Sequence, residues 1–209
     1  GLEATARDAA EGVNTSLAKR RGDGVHTVGI AGVRAMDLLP ASAAALGPAI
    51  SLAERLLLAN PRVVLLERRQ LERVNREAEL TRDTREELDA AALLVHLDAY
   101  NAGTNITCEV TVRSGAGAEV ARFAVSNLPA DADVLGTRLT DGILAALQVA
   151  PGGAIQAPRR ESEILWEQAK YLHARKLYDE AAAARAAAIA MAFRSLRDAP
   201  DDAGLRGYV

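Results

Sequence analysis

From Leu93 onward the apolar residues of this chain fall at a period of two, and the pattern holds through two consecutive segments. Leu93, Val95, Leu97 and Ala99 share one side, with His96, Asp98 and Tyr100 on the other. After Asn101-Ala-Gly-Thr-Asn105 the alternation resumes, with Ile106, Cys108, Val110 and Val112 against Thr107, Glu109, Thr111 and Arg113. Successive side chains of a strand point to opposite faces, so this spacing demands two strands with one covered face and one wet face. The Asn- and Gly-containing loop between them reads as a hairpin. Ser114-Gly-Ala-Gly117 then turns into a third strand, Glu119 to Val125, with Ala121, Phe123 and Val125 inward. A slip of one residue would exchange the two faces. Cys108 is therefore expected to be inert core, and the outward set (His96, Asp98, Thr107, Glu109, Thr111, Arg113) to be solvated.

The segments before this meander alternate strand with helix. Val25 to Val33 is apolar at both parities, as in a central strand covered on both faces. Gly47-Pro48 marks a helix start, because a first-turn proline lacks only an N–H that would be unpaired anyway. That helix carries Ile50, Leu52, Ala53, Leu56 and Leu57 and stops at Asn60-Pro61. Val63 to Leu66 is a short buried strand, and Arg69 to Leu80 a second helix with Leu71, Val74 and Ala78 inward. After the meander, Asp131 to Gln148 buries Leu135, Leu139, Ile143 and Leu147 on one stripe.

The order β-α-β-α-β-β-β-α predicts an α/β fold: a five-stranded mixed sheet, parallel where helices cross over and antiparallel where hairpins connect. The predicted sheet interior includes Val28, Ile30, Val64, Leu66, Leu93, Val95, Cys108, Val110 and Phe123. An N-terminal helix (Leu2 to Lys19, within 1–24) precedes the domain at 25–150. A Pro/Gly linker (151–159) separates it from a helical hairpin (160–209) built from Arg160 to Lys176 and Asp179 to about Leu196.

Composition narrows the function. With 25 basic and 28 acidic residues the net charge is −3, and Arg and Glu alternate along the same helices. A nucleic-acid binder gathers a basic excess on one face, so that class is set aside. One cysteine and three scattered histidines supply neither a disulfide framework nor paired metal ligands. No apolar run approaches the roughly 20 residues of a membrane span. No Gly-x-Ser-x-Gly elbow surrounds a serine, and neither Gly29-Ile-Ala-Gly32 nor Gly115-Ala-Gly117 is followed by the Lys-Ser/Thr of a phosphate loop. Neither a catalytic centre nor a cofactor is expected.

Three places remain as candidate contacts. Glu67-Arg68 ends a strand, where α/β sheets tend to place ligand sites. The plainer account makes Glu67 a favourable charge at a helix N-terminus and Arg68 a surface ion-pair partner. Trp166 reads as a core anchor or as an exposed interface aromatic. The Ala-rich faces around Ala184 and Ala188 are wider than one helix seam needs, which suits a second helical partner. The plainer account is that alanine is the best helix former.

The stretch from Val28 to Leu147 resembles the CsgG/TolB-N/LpoB group of bacterial envelope domains. The likeness rests on the helix Ala49-Ile-Ser-Leu-Ala-Glu-Arg-Leu-Leu57, the segment Pro61-Arg-Val-Val-Leu-Leu-Glu-Arg-Arg-Gln-Leu-Glu-Arg-Val-Asn75, the Leu88-Asp-Ala-Ala91 approach to the next strand, and the Gly115-Ala-Gly-Ala-Glu-Val120 turn. Asp89 stands where the family has Gly, and the strands are too few and short for membrane-crossing hairpins. The resemblance therefore implies the family's soluble periplasmic fold rather than its secretion pore. It also implies a periplasmic or outer-membrane-associated protein that binds other envelope proteins or itself. The hairpin is similar to one tetratricopeptide repeat through Leu165, Ala169, Leu172, Tyr178, Ala181 and Ala188, although a single copy is below what a solenoid needs. A hairpin docked on the domain is the plainer form. The expected function is thus a non-catalytic, envelope-associated binding or assembly module. The alternative is a small-substrate enzyme or nucleotide-binding regulator acting near Glu67-Arg68.

Overall fold

A computed structural model of the chain describes residues 24–66, 92–150 and 157–198. The expected helices at 2–19 and 69–80, the pair Glu67-Arg68 and most of the linker lie outside the described residues. The five strands are β1 (His26–Met36), β2 (Val63–Leu66), β3 (Ala92–Ala102), β4 (Asn105–Ser114) and β5 (Glu119–Asn127). The helices are α1 (Pro40–Leu58), α2 (Ala132–Ala146), α3 (Pro158–Ala174) and α4 (Tyr178–Asp198), with a 3-10 turn at Pro129–Asp131. The fold is the mixed α/β sheet that the pattern predicted.

Strand order is β2-β1-β3-β4-β5. β1 and β2 pair in parallel, from His26 opposite Val63 to Gly29 opposite Leu66. Thr27, Val28, Gly29 and Ile30 are buried in succession, so both faces of β1 are covered there. In β3 and β4 the alternation is clean. Val95, Leu97 and Ala99 are buried, as are Ile106, Cys108, Val110 and Val112, with His96, Glu109 and Arg113 exposed between them. Burial also pushes the Cys108 thiol from 9.0 up to about 11, which suits inert core.

Two expectations about faces need correction. Val64, Leu66 and Phe123 are only partly buried, because β2 and β5 are the two edges of the sheet; Leu93, one residue into β3, is likewise half-covered. Thr107 is buried rather than solvated, and its hydroxyl donates to Ser126 Oγ at 3.0 Å. A buried hydroxyl keeps its place by finding such a partner.

α1 begins at Pro40, eight residues before Pro48, and Pro48 lies inside it. Pro40 answers to the same rule that pointed to Pro48: it occupies the first turn, and Ala43 N–H bonds the Leu39 carbonyl. The entry is tied to the sheet end of β3. Leu39 N–H donates to Asn101 Oδ1 at 2.8 Å, and Asn101 Nδ2 donates to Ser42 Oγ at 2.8 Å. An interior proline costs a helix about 3 kcal/mol. Burying Leu46, Ile50, Leu52 and Leu57 returns roughly 1.5–3 kcal/mol each, so the helix runs through.

The earlier start also makes α1 19 residues long, enough by length and composition to cross a membrane. Its Ala49, Leu52, Ala53 and Leu57 are at most 1% exposed within the protein, as in a core helix.

Packing divides the chain into two compact units. Among the described residues, one comprises 24–34, 58–66, 92–98 and 109–123; the other comprises 35–57, 99–108, 124–150 and 157–198. The second unit holds α2, α3, α4 and all of α1 but its last residue. In that unit Leu52 of α1 shares a cluster with Leu165, Ala187, Ala188 and Met191. Gly136 of α2 comes so close to α1 that a Cβ there would lie 2.6 Å from the Ala49 carbonyl oxygen. Ser162 Oγ donates to the Ala188 carbonyl at 2.8 Å, tying α3 to α4. α3 ends with Lys176 in the left-handed region (φ 61), where Leu177 N–H reaches the Leu172 carbonyl and Lys176 N–H that of His173. The hairpin is thus docked against α1.

Candidate functional site

Residues of β1, β3, β4 and β5 in the first unit line a polar groove of about 480 Å³. Gly32, Val33 and Arg34 come from β1, His96, Leu97 and Asp98 from β3, Thr111 and Arg113 from β4, and Arg122 from β5. Period-two alternation puts His96 with Asp98, and Thr111 with Arg113, on the wet face. Strand order then sets these pairs side by side and brings Arg34 and Arg122 to them from the flanking strands.

The charges are partly committed. Arg34 grips Asp98 through two donors, Nε to Oδ1 at 2.9 Å and Nη2 to Oδ2 at 2.8 Å. That two-pronged geometry fixes both side chains even though the pair is largely exposed, and its net stabilisation is at most about 1 kcal/mol. Arg122 Nη2 donates to Glu119 Oε2 at 3.0 Å along its own strand. Arg113 makes no hydrogen bond or ion pair to any other described residue; its guanidinium acts on His96 through charge alone.

His96 sits over Gly32 of β1, and a Cβ added to that glycine would stand 3.2 Å from the imidazole Nδ1. Partial burial and the Arg113 charge hold the imidazole below its ordinary value of 6.5, with Asp98 pulling partly the other way. At neutral pH the groove therefore presents a neutral imidazole, three arginines and a carboxylate. Such an array can hold and orient an acidic group, and its neutral imidazole can accept a proton.

Of the candidates named from the sequence, Glu67 and Arg68 lie outside the described residues. Trp166 is partly buried against the Leu52–Leu165–Met191 cluster, with the Arg185 guanidinium 5.8 Å from its ring centroid. Ala184 and Ala188 are 0% and 1% exposed and already covered within the protein, so they offer no free face. Their small side chains serve intramolecular packing, which corrects the idea of an Ala-lined surface awaiting a partner. The groove was missed because its residues looked like an ordinary solvated sheet face. The only signal in the sequence was the same-parity pairing of His96 with Asp98 and of Thr111 with Arg113.

No family model matches the chain, and no curated protein does. Two solved structures are similar to part of it. One is the PelC dodecamer from Paraburkholderia phytofirmans, with 15% identity and a TM-score of 0.35, covering 61% of this chain and 89% of that one. The other is a single-substitution variant of the same dodecamer, with 14% identity and a TM-score of 0.31, covering 59% and 89%. At that level of similarity neither bears on the groove.

Proposed function

We propose that this protein is a non-catalytic binding or assembly module of the bacterial envelope, and that the groove between β1 and β5 is its contact surface. The envelope setting rests on the sequence resemblance to the CsgG/TolB-N/LpoB group. The observation that carries the contact surface is the groove itself: a concave polar patch whose arginines come from three strands, two of them held in place by carboxylates. Side chains already fixed on strands lose little freedom on binding, which favours recognition. The test is capture of envelope proteins, together with self-association by sedimentation, for the wild type and for Arg122→Glu. Loss of either on reversing that charge supports the reading; unchanged behaviour removes the groove as the contact surface.

A second reading, a small-substrate enzyme or nucleotide-binding regulator, gains support from one observation, the placement of His96 in the groove beside Asp98, Thr111 and Arg113. A hydrolase and nucleotide-binding screen separates the two. Reproducible turnover abolished by His96→Ala decides for the enzyme.

A further inference from the structure

We propose that the groove binds a single carboxylate group, with the Arg113 guanidinium as its anchor. This rests on reading the groove as the contact surface. Three arginines line it, and two carboxylates, Asp98 in the groove and Glu119 beside it, are already engaged by Arg34 and Arg122. Among the described residues that leaves Arg113 as the groove arginine without a carboxylate. Thr111, two residues before it on β4 and so on the same face, lines the groove as well and brings a hydroxyl within the same patch.

Guanidinium and carboxylate match in shape, since two parallel N–H donors meet two oxygens. The groove already contains one such pairing in Arg34 and Asp98. Charge selects the ligand further. One incoming carboxylate balances Arg113, whereas a phosphate monoester near neutral pH carries close to two charges. The second charge would face Asp98 with no arginine left to meet it. The carboxylate can come from an acidic side chain of a partner protein or from a free small acid, because both present the same two oxygens.

The experiment uses the full chain and two probes, acetate and a peptide with one glutamate and blocked termini, followed by NMR. Both probes are expected to shift the His96 imidazole and the amides of 111–113. Arg113→Gln should weaken that binding by about tenfold or more, the range for a lost charged hydrogen-bonding partner. Arg113→Lys should fall between, because charge remains but the fork is lost. Peptide binding at least tenfold tighter than acetate identifies a partner's acidic segment as the source; a smaller difference identifies a free acid, and either supports the site. The site is overturned if neither probe perturbs 111–113, if Arg113→Gln binds as wild type, or if inorganic phosphate binds more tightly than both probes. Should the carboxylate fail while Arg122→Glu still abolishes partner capture, the contact surface stands and only this inference falls.

Discussion

The His96 imidazole occupies the space that Gly32 leaves open on the neighbouring strand: a Cβ at position 32 would lie 3.2 Å from Nδ1 and 4.0 Å from Cε1. The absent side chain thus forms part of the floor of the groove. Gly32 does not adopt a positive φ, so alanine is permitted by the backbone and the cost of Gly32→Ala lies in the contact alone. The ring must move by a few tenths of an ångström. A stability change below about 1 kcal/mol is expected in a denaturant melt, because His96 is exposed and can give way. The His96 imidazole resonances should shift clearly. An unmoved imidazole in the alanine variant would mean that Gly32 does not set its position.

Titration of His96 provides a second prediction. Partial burial and the positive charge of Arg113 lower its value, and Asp98 raises it. Arg34 of β1 also faces the groove but is engaged by Asp98. Arg113→Gln should therefore move the His96 midpoint upward, towards 6.5, and Asp98→Asn should move it further down. Because the folded value lies below the unfolded one, the unfolded chain binds the extra proton between the two. The contribution of His96 to stability is present above 6.5 and is lost as pH falls through the folded midpoint. An NMR titration of the three histidines in wild type and both variants checks the two opposite shifts.

The alanine seam yields a prediction of opposite sense to the one the sequence invited. Read as a free surface beyond the linker, Ala184 and Ala188 should accept Glu with folding of the α/β domain intact. In the structure they are buried between helices, with Ala188 in the cluster around Leu52 and Met191 and its carbonyl taken by Ser162. A carboxylate at either position must be buried without a partner or force the hairpin off α1. A loss of several kcal/mol is expected for each of Ala184→Glu and Ala188→Glu, read from thermal or urea unfolding. Exchange-protected amides in α4 should lose protection first.

Legibility in the sequence followed how locally each feature is determined. The registers of β3 and β4 could be read because alternation is set by neighbours two residues apart, and every inward residue from Ile106 to Val112 is buried as expected. The stripe Leu135, Leu139, Ile143 and Leu147 could be read for the same reason, at helical spacing. The start of α1 could not, because Pro40 and Pro48 make the same local signal and only burial of the stripe between and beyond them decides. The edge positions of β2 and β5, which leave Val64, Leu66 and Phe123 half-covered, follow from strand order. The groove depends on strand order most of all. Arg34, His96, Arg113 and Arg122 are far apart in the chain, and only the sequence β1-β3-β4-β5 across the sheet lines them up.

The close approach of α1 and α2 at Gly136 sets up a contest between two effects of known size. Gly136→Ala removes a helix-interior glycine, which alone favours the helix by about 1 kcal/mol. The new Cβ, however, would stand 2.6 Å from the Ala49 carbonyl oxygen, and 3.1 and 3.2 Å from Leu52 Cβ and Cδ2. The leucine tip can rotate, but a backbone oxygen moves only with its helix. Overpacking of this kind costs typically 1–3 kcal/mol, so it outweighs the propensity gain. The variant should unfold at lower denaturant with an unchanged m-value, since the surface exposed on unfolding stays the same. Gly142 on the same helix supplies the control, since it is only half-buried. There Gly142→Ala should stabilise by up to about 1 kcal/mol. If Gly136→Ala instead stabilises as Gly142→Ala does, the two helices can separate without penalty and their close contact does not hold the unit together.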